Sequence, residues 1–223
     1  MRIVLMSDSH SLHNHVSVPD GDVFVHCGDF CGRSTMADVA VFGDWVSNLP
    51  HKHKIVVAGN HDVSFQKERY AATKWLGDNV TYLQDSGCEI DGLNFYGSPW
   101  TPVFYKWAFM LNPGLELQDK WKLIPENTDV LVTHGPPFGI LDRNNQKEPC
   151  GDKDLLVRVN AVTPALHAFG HIHESSGALV QDGTLFVNAA VLDNRYKLRS
   201  ECRVVDLIRG QSAKLVTHYK GKF

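Results

Sequence analysis

The chain predicts an α/β layered fold, and three observations carry that expectation. Five short apolar runs, rich in β-formers, each end in glycine or polar residues. Segments with helical periodicity lie between them. The later part of the chain turns to closely spaced strands with few helices.

The elements follow in order. Arg2 to Ser7 (RIVLMS) and Asp22 to Cys27 (DVFVHC) read as strands; the first runs into Asp8, the second into Gly28-Asp29. Runs of four to six residues that are apolar on both faces suit buried strands. Ser34 to Leu49 is expected to be a helix capped by Ser34, with Ala37, Val41, Phe42, Trp45 and Leu49 near one face. Lys54 to Ala58 is a third strand, followed by Gly59-Asn60-His61-Asp62, and Val63 to Leu76 a second helix carrying Phe65, Tyr70 and Trp75.

Glu89 to Tyr96 reads as a strand, and Ser98 to Trp121 as an irregular stretch holding Trp100, Phe104, Tyr105, Trp107, Phe109 and Trp121. Asp129 to Thr133 is the fourth run, followed by His134-Gly135-Pro136-Pro137. A third helix over Asp154 to Val162 is stopped by Pro164. Pro164 to Phe169 is the fifth run, followed by Gly170-His171-Ile172-His173. Ala178 to Gln181, Thr184 to Ala190, Cys202 to Leu207 and Lys214 to Tyr219 complete an antiparallel tail. With no repeat, low-complexity tract or linker in view, one domain over residues 1–223 is expected.

Composition narrows the function. Of 223 residues, 43% are hydrophobic and 21% charged, which excludes wholesale disorder. The net charge of -3 gives no global basic field, so no stable nucleic-acid partner is expected. No apolar stretch approaches the ~20 residues of a membrane helix, so no membrane association is expected. Ile3 to Met6 is too short for a signal-peptide core. The five cysteines are odd in number and form no regular framework, and Cys27 and Cys31 have no second pair to complete a zinc site. A cytoplasmic location is expected. The composition leaves the oligomeric state open.

The 12 histidines are the unusual feature. Five strand ends carry Asp8 and His10; Asp29; Asn60 and His61; His134; and His171 and His173. Catalytic groups of α/β sheets gather beyond the carboxyl ends of strands. Carboxylate and imidazole donors suit divalent Mn, Fe, Zn, Co or Ni, with Mn favoured, over magnesium, which prefers oxygen. One ion is expected on Asp8, His10 and His173, the other on Asn60, His134 and His171, with Asp29 between them. Such a site stays net positive and holds an anionic phosphate, and Asn60 adds an oxygen without cancelling charge. Two ions ~3.5–4 Å apart activate a bridging hydroxide as nucleophile and stabilise an in-line displacement. His61, beside Asn60, is a candidate general acid, and Asp62 a candidate to orient or charge it.

Asp8-Ser-His10, Gly28-Asp29, Gly59-Asn60-His61-Asp62, His134-Gly135 and Gly170-His171-Ile-His173 together resemble, in order, the motif set of calcineurin-like metallophosphoesterases. The resemblance implies a four-layer α-β-β-α sandwich with two mixed β-sheets around a dinuclear metal site. It implies the same ligands, with Asp29 as bridge and His61 as the acid that binds no metal. Phe95-Tyr-Gly-Ser-Pro-Trp100, Trp107-Ala-Phe109, Thr133-His-Gly-Pro-Pro137 and Gly170-His-Ile-His-Glu174 are similar to the metallophosphoesterase-domain-containing, UPF0046-like branch. That branch and the related class III cyclic nucleotide phosphodiesterases imply phosphodiester substrates.

The expected function is hydrolysis of a small phosphodiester such as a cyclic nucleotide, bound by Asn60, His61 and Trp100. No arginine stands inside the motifs, which disfavours the alternative of a phosphomonoesterase or protein phosphatase. A second alternative is a non-catalytic scaffold on the same fold; the full ligand set argues against it. The aromatic stretch around Trp100 and Trp107 has two readings: a platform for a base or aryl group, or packing onto the sandwich, the latter favoured for most of its residues. His26 and His167 lie within apolar runs and read as core or supporting residues, His13 and His15 as part of a solvated loop, and His51, His53 and His218 as outside the site. Asn188 follows a strand in a position to support the site.

Overall fold

The computed structural model describes residues 1–32 and 35–216. The chain begins with β1 (Arg2–Met6), β2 (Val23–His26), α1 (Met36–Ser47), β3 (His53–Val56), α2 (Val63–Lys67), α3 (Arg69–Lys74) and β4 (Thr81–Tyr82). A hairpin of β5 (Ser86–Ile90) and β6 (Leu93–Ser98) follows, then the short β7 (Thr101–Pro102), β8 (Met110–Leu111) and α4 (Leu115–Trp121). The remainder is β9 (Val130–Thr133), α5 (Lys153–Val162), β10 (Leu166–Phe169), β11 (Gly177–Gln181), β12 (Thr184–Asn188), β13 (Arg203–Asp206) and β14 (Lys214–Leu215).

Two mixed six-stranded sheets result. The first has the order β14-β13-β1-β2-β3-β4, with β1 to β4 parallel and β13 antiparallel to β1. The second has the order β11-β12-β10-β9-β6-β5, with a parallel centre and antiparallel edges.

The pleat explains why the runs are continuously apolar. Successive side chains of a strand point to opposite faces. Ile3, Leu5, Val23, Val25, Val130, Val132, Leu166 and Ala168 fill one core between the two sheets. Their neighbours Val4, Met6 and Phe24 pack under α1, α2 and α3. Leu131 and Phe169 pack under α4 and α5. Each central strand is buried on both sides, and the layers are helix, sheet, sheet, helix.

Four expectations are corrected. The cap of α1 is Thr35, whose side chain accepts from Asp38 N while Asp38 accepts from Thr35 N; Ser34 lies outside the described residues. The buried face of α1 is Val39, Phe42, Gly43 and Val46, and Val41 is 55% exposed. The second helix breaks at Glu68, whose φ of -136° is not helical, so α2 and α3 are separate; Tyr70 and Trp75 are exposed. Glu89 to Tyr96 is not one strand, because Asp91 and Gly92 both have positive φ and turn the chain into the β5–β6 hairpin. Of Lys214 to Tyr219, Lys214–Leu215 is strand; residues 217–223, with His218, lie outside the described residues. Among the described residues no helix is long and apolar enough to cross a membrane.

The two sheets are joined where the site forms. Ser7, just past β1, donates its N–H to Ala189 O at 2.9 Å and accepts from Val191 N at 3.1 Å. The ends of β1, β2 and β3 thereby meet the ends of β9, β10 and β12.

The packing has a direct test. Phe42 stacks on Phe30 with ring centroids 4.2 Å apart. Phe42→Ala is expected to cost about 3–5 kcal/mol in chemical denaturation, and Val41→Ala less than about 0.5 kcal/mol. Equal costs would contradict the helix orientation.

Candidate metal centre

The loops after five parallel strands bring seven donor residues together. Three groups of side chains each place their donor atoms within 4.8 Å of one another. They are Asp8, His10 and His173; His10, Asp29 and His61; and Asp29, His134 and His171. Asp29 belongs to two of these groups: its Oδ2 lies 3.8 Å from His10 Nε2 and 3.5 Å from His134 Nε2. Asn60 Oδ1 lies 3.0 Å from His134 Nε2.

The backbone here is strained in a consistent way. Asp8, His10, Asp29 and His171 all have φ between 40° and 68°, a region few non-glycine residues adopt. The strain turns each side chain back across its strand end. Hydrogen bonds hold it: Asp8 N donates to Gly28 O at 2.9 Å and His10 N to Asp29 O at 3.0 Å. Asp8 Oδ2 accepts from His171 N at 2.9 Å, and Asp29 Oδ1 accepts from His61 N at 2.7 Å. Two glycines make room. Gly28 has φ +110°, and a Cβ there would lie 2.5 Å from His134 Nδ1. A Cβ on Gly170 would lie 2.0 Å from Asp8 Oδ2.

The histidines are aimed by their second nitrogen. His134 Nδ1 donates to Cys27 O and His173 Nδ1 to Asp193 O, both at 3.0 Å. Each leaves Nε2 facing the centre, the usual arrangement behind a metal-binding imidazole. His173 Nε2 lies 3.4 Å from both Asp8 Oδ1 and His10 Nε2.

The donor set fits divalent cations. Asp8 Oδ1 is fully buried, and its one close polar neighbour is His173 Nε2 at 3.4 Å, itself a candidate ligand, so a cation between the two would satisfy both. Burial would raise the Asp8 carboxyl, but the hydrogen bond and charge of His173 prevail and hold it well below the usual range. Asp29 is likewise held low against its burial, by His134 above all. Burial lowers His10 to about 4 and His171 to about 3, so both are neutral donors. His134 and His173 rise to about 9 against their burial, because Asp29 and Asp8 respectively favour the cation. Positive charge is thus drawn to the centre even from the protein's own protons. Asp8, His10 and His173 would hold one ion and Asn60, His134 and His171 the other, with Asp29 reaching both.

Asp62 takes a different role from the one expected. Its carboxylate is fully buried and accepts from Asp29 N at 2.8 Å, Cys31 N at 2.9 Å and Gly59 N at 2.7 Å. It ties the loops after β2 and β3 together and so positions Asp29. Burial and the nearby Asp29 push it up to about 7. The His61 ring instead meets Trp107, stacked at 4.4 Å, and His10, edge-on at 4.7 Å.

Trp100 is placed away from the cleft. Its indole N–H donates to Asp85, and Lys120 Nζ lies over its ring at 4.4 Å while also bonding Asp85 at 3.0 Å. It anchors the stretch that carries Trp107. A cavity of about 290 Å³ above the centre is lined by His10, Asn60, His61, Phe104, Trp107 and Tyr196 among others. Trp107 stood in the aromatic stretch, but no sequence signal singled out Tyr196, which enters on a loop from the tail.

Three supporting residues complete the site. His26 accepts from Gly28 N at 3.3 Å and donates to Ser9 at 3.0 Å, bracing two loops. His167 donates to Thr133 Oγ1 at 2.8 Å, which in turn bonds Gly135 O at 2.7 Å. Asn188 Nδ2 donates to Ile172 O at 2.9 Å and holds the loop between His171 and His173.

Comparison with known proteins agrees with this geometry. Residues 1–175 match the family described as calcineurin-like phosphoesterase. The chain is 40% identical over 230 residues to human metallophosphoesterase domain-containing protein 1, covering 92% of this chain and 71% of that one. It is 42% identical over 203 residues to a UPF0046 protein of Caenorhabditis elegans, covering 85% and 69%. A solved crystal structure superposes with a TM-score of 0.72 at 14% identity, covering 96% of this chain and 98% of the other.

Two outcomes are expected. Loading both divalent ions must expel the protons that Asp8 and Asp29 keep on His173 and His134. At pH 7 about two protons are released, and affinity rises with pH up to about 9. Calorimetry in two buffers of different ionisation enthalpy measures this; a pH-independent affinity would contradict it. Asp62→Ala is expected to weaken metal affinity roughly 10- to 100-fold without touching a ligand.

Proposed function

The chain belongs to the calcineurin-like phosphoesterase family, and from that premise we propose that it hydrolyses small phosphodiesters, cyclic nucleotides among them. The observation that carries the proposal is the charge of the cleft. No lysine or arginine lines it among the described residues, and Glu174 does. Two divalent ions set against Asp8, Asp29 and Glu174 leave one formal positive charge, and none once the attacking hydroxide is counted. So low a positive charge suits the monoanion of a diester better than the dianion of a monoester, which needs added cations.

When bound, the two ions supply Lewis acidity and a water activated near neutral pH. The remaining work belongs to the chain. Asn60 and His61, side by side at the cleft floor, face the phosphoryl group. Stacking on Trp107 and the bond from His61 N to Asp29 Oδ1 fix the imidazole over the centre. From there its N–H gives a proton to the departing alcohol oxygen. Phe104, Tyr105 and Trp107 line the cleft with exposed rings that take flat organic groups. All five cysteines are free thiols, which supports a reducing, cytoplasmic setting.

Manganese-loaded protein is expected to hydrolyse bis-p-nitrophenyl phosphate and one or more cyclic nucleotides faster than p-nitrophenyl phosphate. A monoester rate far above the diester rate would overturn the proposal. His61→Ala is expected to lower kcat roughly 10²- to 10⁴-fold for a poor alkoxide leaving group, and far less for p-nitrophenolate. Equal losses on both would remove His61 as the acid.

A further inference from the structure

The loop after β12 carries a feature that the metal centre does not require. Asp193 organises it as a tight turn. Its Oδ1 accepts from Arg195 N at 2.8 Å and Lys197 N at 3.0 Å. Its carbonyl oxygen accepts from Tyr196 N at 2.9 Å and from His173 Nδ1 at 3.0 Å. The turn is therefore tied to a metal-binding histidine, and it presents Tyr196 at the mouth of the cleft.

Tyr196 is a poor choice for the turn alone. Its φ is 56°, a left-handed conformation that favours glycine or asparagine and penalises a bulky residue. Its side chain is also half exposed, at 50%. A large aromatic ring in a strained backbone, open to water and lining a cleft, points to a ligand as the missing partner.

The ring's position says which part of the substrate it meets. Tyr196 packs edge-on to His10 at 4.8 Å and to His173 at 5.8 Å. His61 also packs edge-on to His10, at 4.7 Å, and stacks on Trp107. Trp107, His61, His10 and Tyr196 therefore form one series of ring contacts lining the cleft. The proton donor marks the Trp107 end as the place of the leaving alcohol. Tyr196 stands at the other end of that series, separated from His61 by His10.

We infer that Tyr196 is a specificity-determining residue, whose ring face holds the organic group that stays on phosphorus. This rests on the diester reading above, since a monoester has no second organic group. The ring, not the hydroxyl, makes the contact. An aromatic retained group, such as an aryl ring or nucleobase, is favoured over a small alkyl group.

The experiment uses a substrate pair with one leaving group. Bis-p-nitrophenyl phosphate retains an aryl group, and methyl p-nitrophenyl phosphate retains a methyl. In manganese-loaded protein, Tyr196→Ala is expected to lower kcat/KM roughly tenfold for the first and less than about twofold for the second. Tyr196→Phe should keep the wild-type preference. Calorimetric binding of diphenyl phosphate and dimethyl phosphate gives a readout independent of turnover. Wild type should prefer the diphenyl ester, and Tyr196→Ala should lose that preference at unchanged manganese content. Equal losses on both substrates, a loss of manganese in Tyr196→Ala, or an unchanged diphenyl preference would each overturn the inference. A wild type that binds diphenyl phosphate through Tyr196 yet turns over neither diester would sink the diesterase reading instead.

Discussion

The centre depends on one buried carboxylate. Asp29 faces His10 and His134 through Oδ2 and receives His61 N on Oδ1. Its own N–H is held by Asp62, and its φ of 55° turns it inward from the end of β2. A charge so far from water is costly unless strongly paired. That cost is relieved by His134, which becomes cationic beside it, and by the backbone N–H of His61, and divalent ions held by the site would relieve it further. The chemistry and the fold therefore share one requirement, which is that Asp29 remain ionised at the almost fully buried floor of the cleft.

The sandwich makes that requirement affordable. Strands buried on both faces have few alternative positions, so the points where they end are well defined. The strained φ values at Asp8, His10, Asp29 and His171 all occur just past those ends. A packed scaffold can hold such strain, whereas a loop free in solvent relaxes. Gly28 and Gly170 show how close the packing is, because neither position has space for a single added carbon beside its ligand. The interior histidines His26 and His167 fit the same logic: both stay neutral, His26 bracing two loops and His167 the end of the neighbouring strand β9.

Much of this was legible along the chain. Asp8, His10, Asp29, Asn60, His134, His171 and His173 each follow a short apolar run, and strand ends meet in space however far apart they lie in sequence. The layers were legible because burial on both faces leaves continuous apolar runs. The buried face of α1 was misread because Ala37 and Val41 are apolar yet point outward, and a single period cannot tell a packed valine from an exposed one. The β5–β6 hairpin was missed because Asp91-Gly92 sits inside an otherwise strand-like run. Trp100 and Trp107 look alike in sequence; which one meets the cleft depends on Asp85 and Lys120, distant residues that capture Trp100. Asp62 looked catalytic beside His61, but neighbouring side chains in an irregular loop diverge, and its partners are backbone N–H groups. Tyr196 had no signal, since its role comes from a turn built by Asp193.

The pairing of two ions across Asp29 is best tested by electron paramagnetic resonance of the manganese-loaded protein. An exchange-coupled pair is expected in wild type, collapsing to isolated manganese in Asp29→Ala. Isolated manganese in fully loaded wild type, or a coupled pair that survives loss of the Asp29 carboxylate, would contradict the assignment.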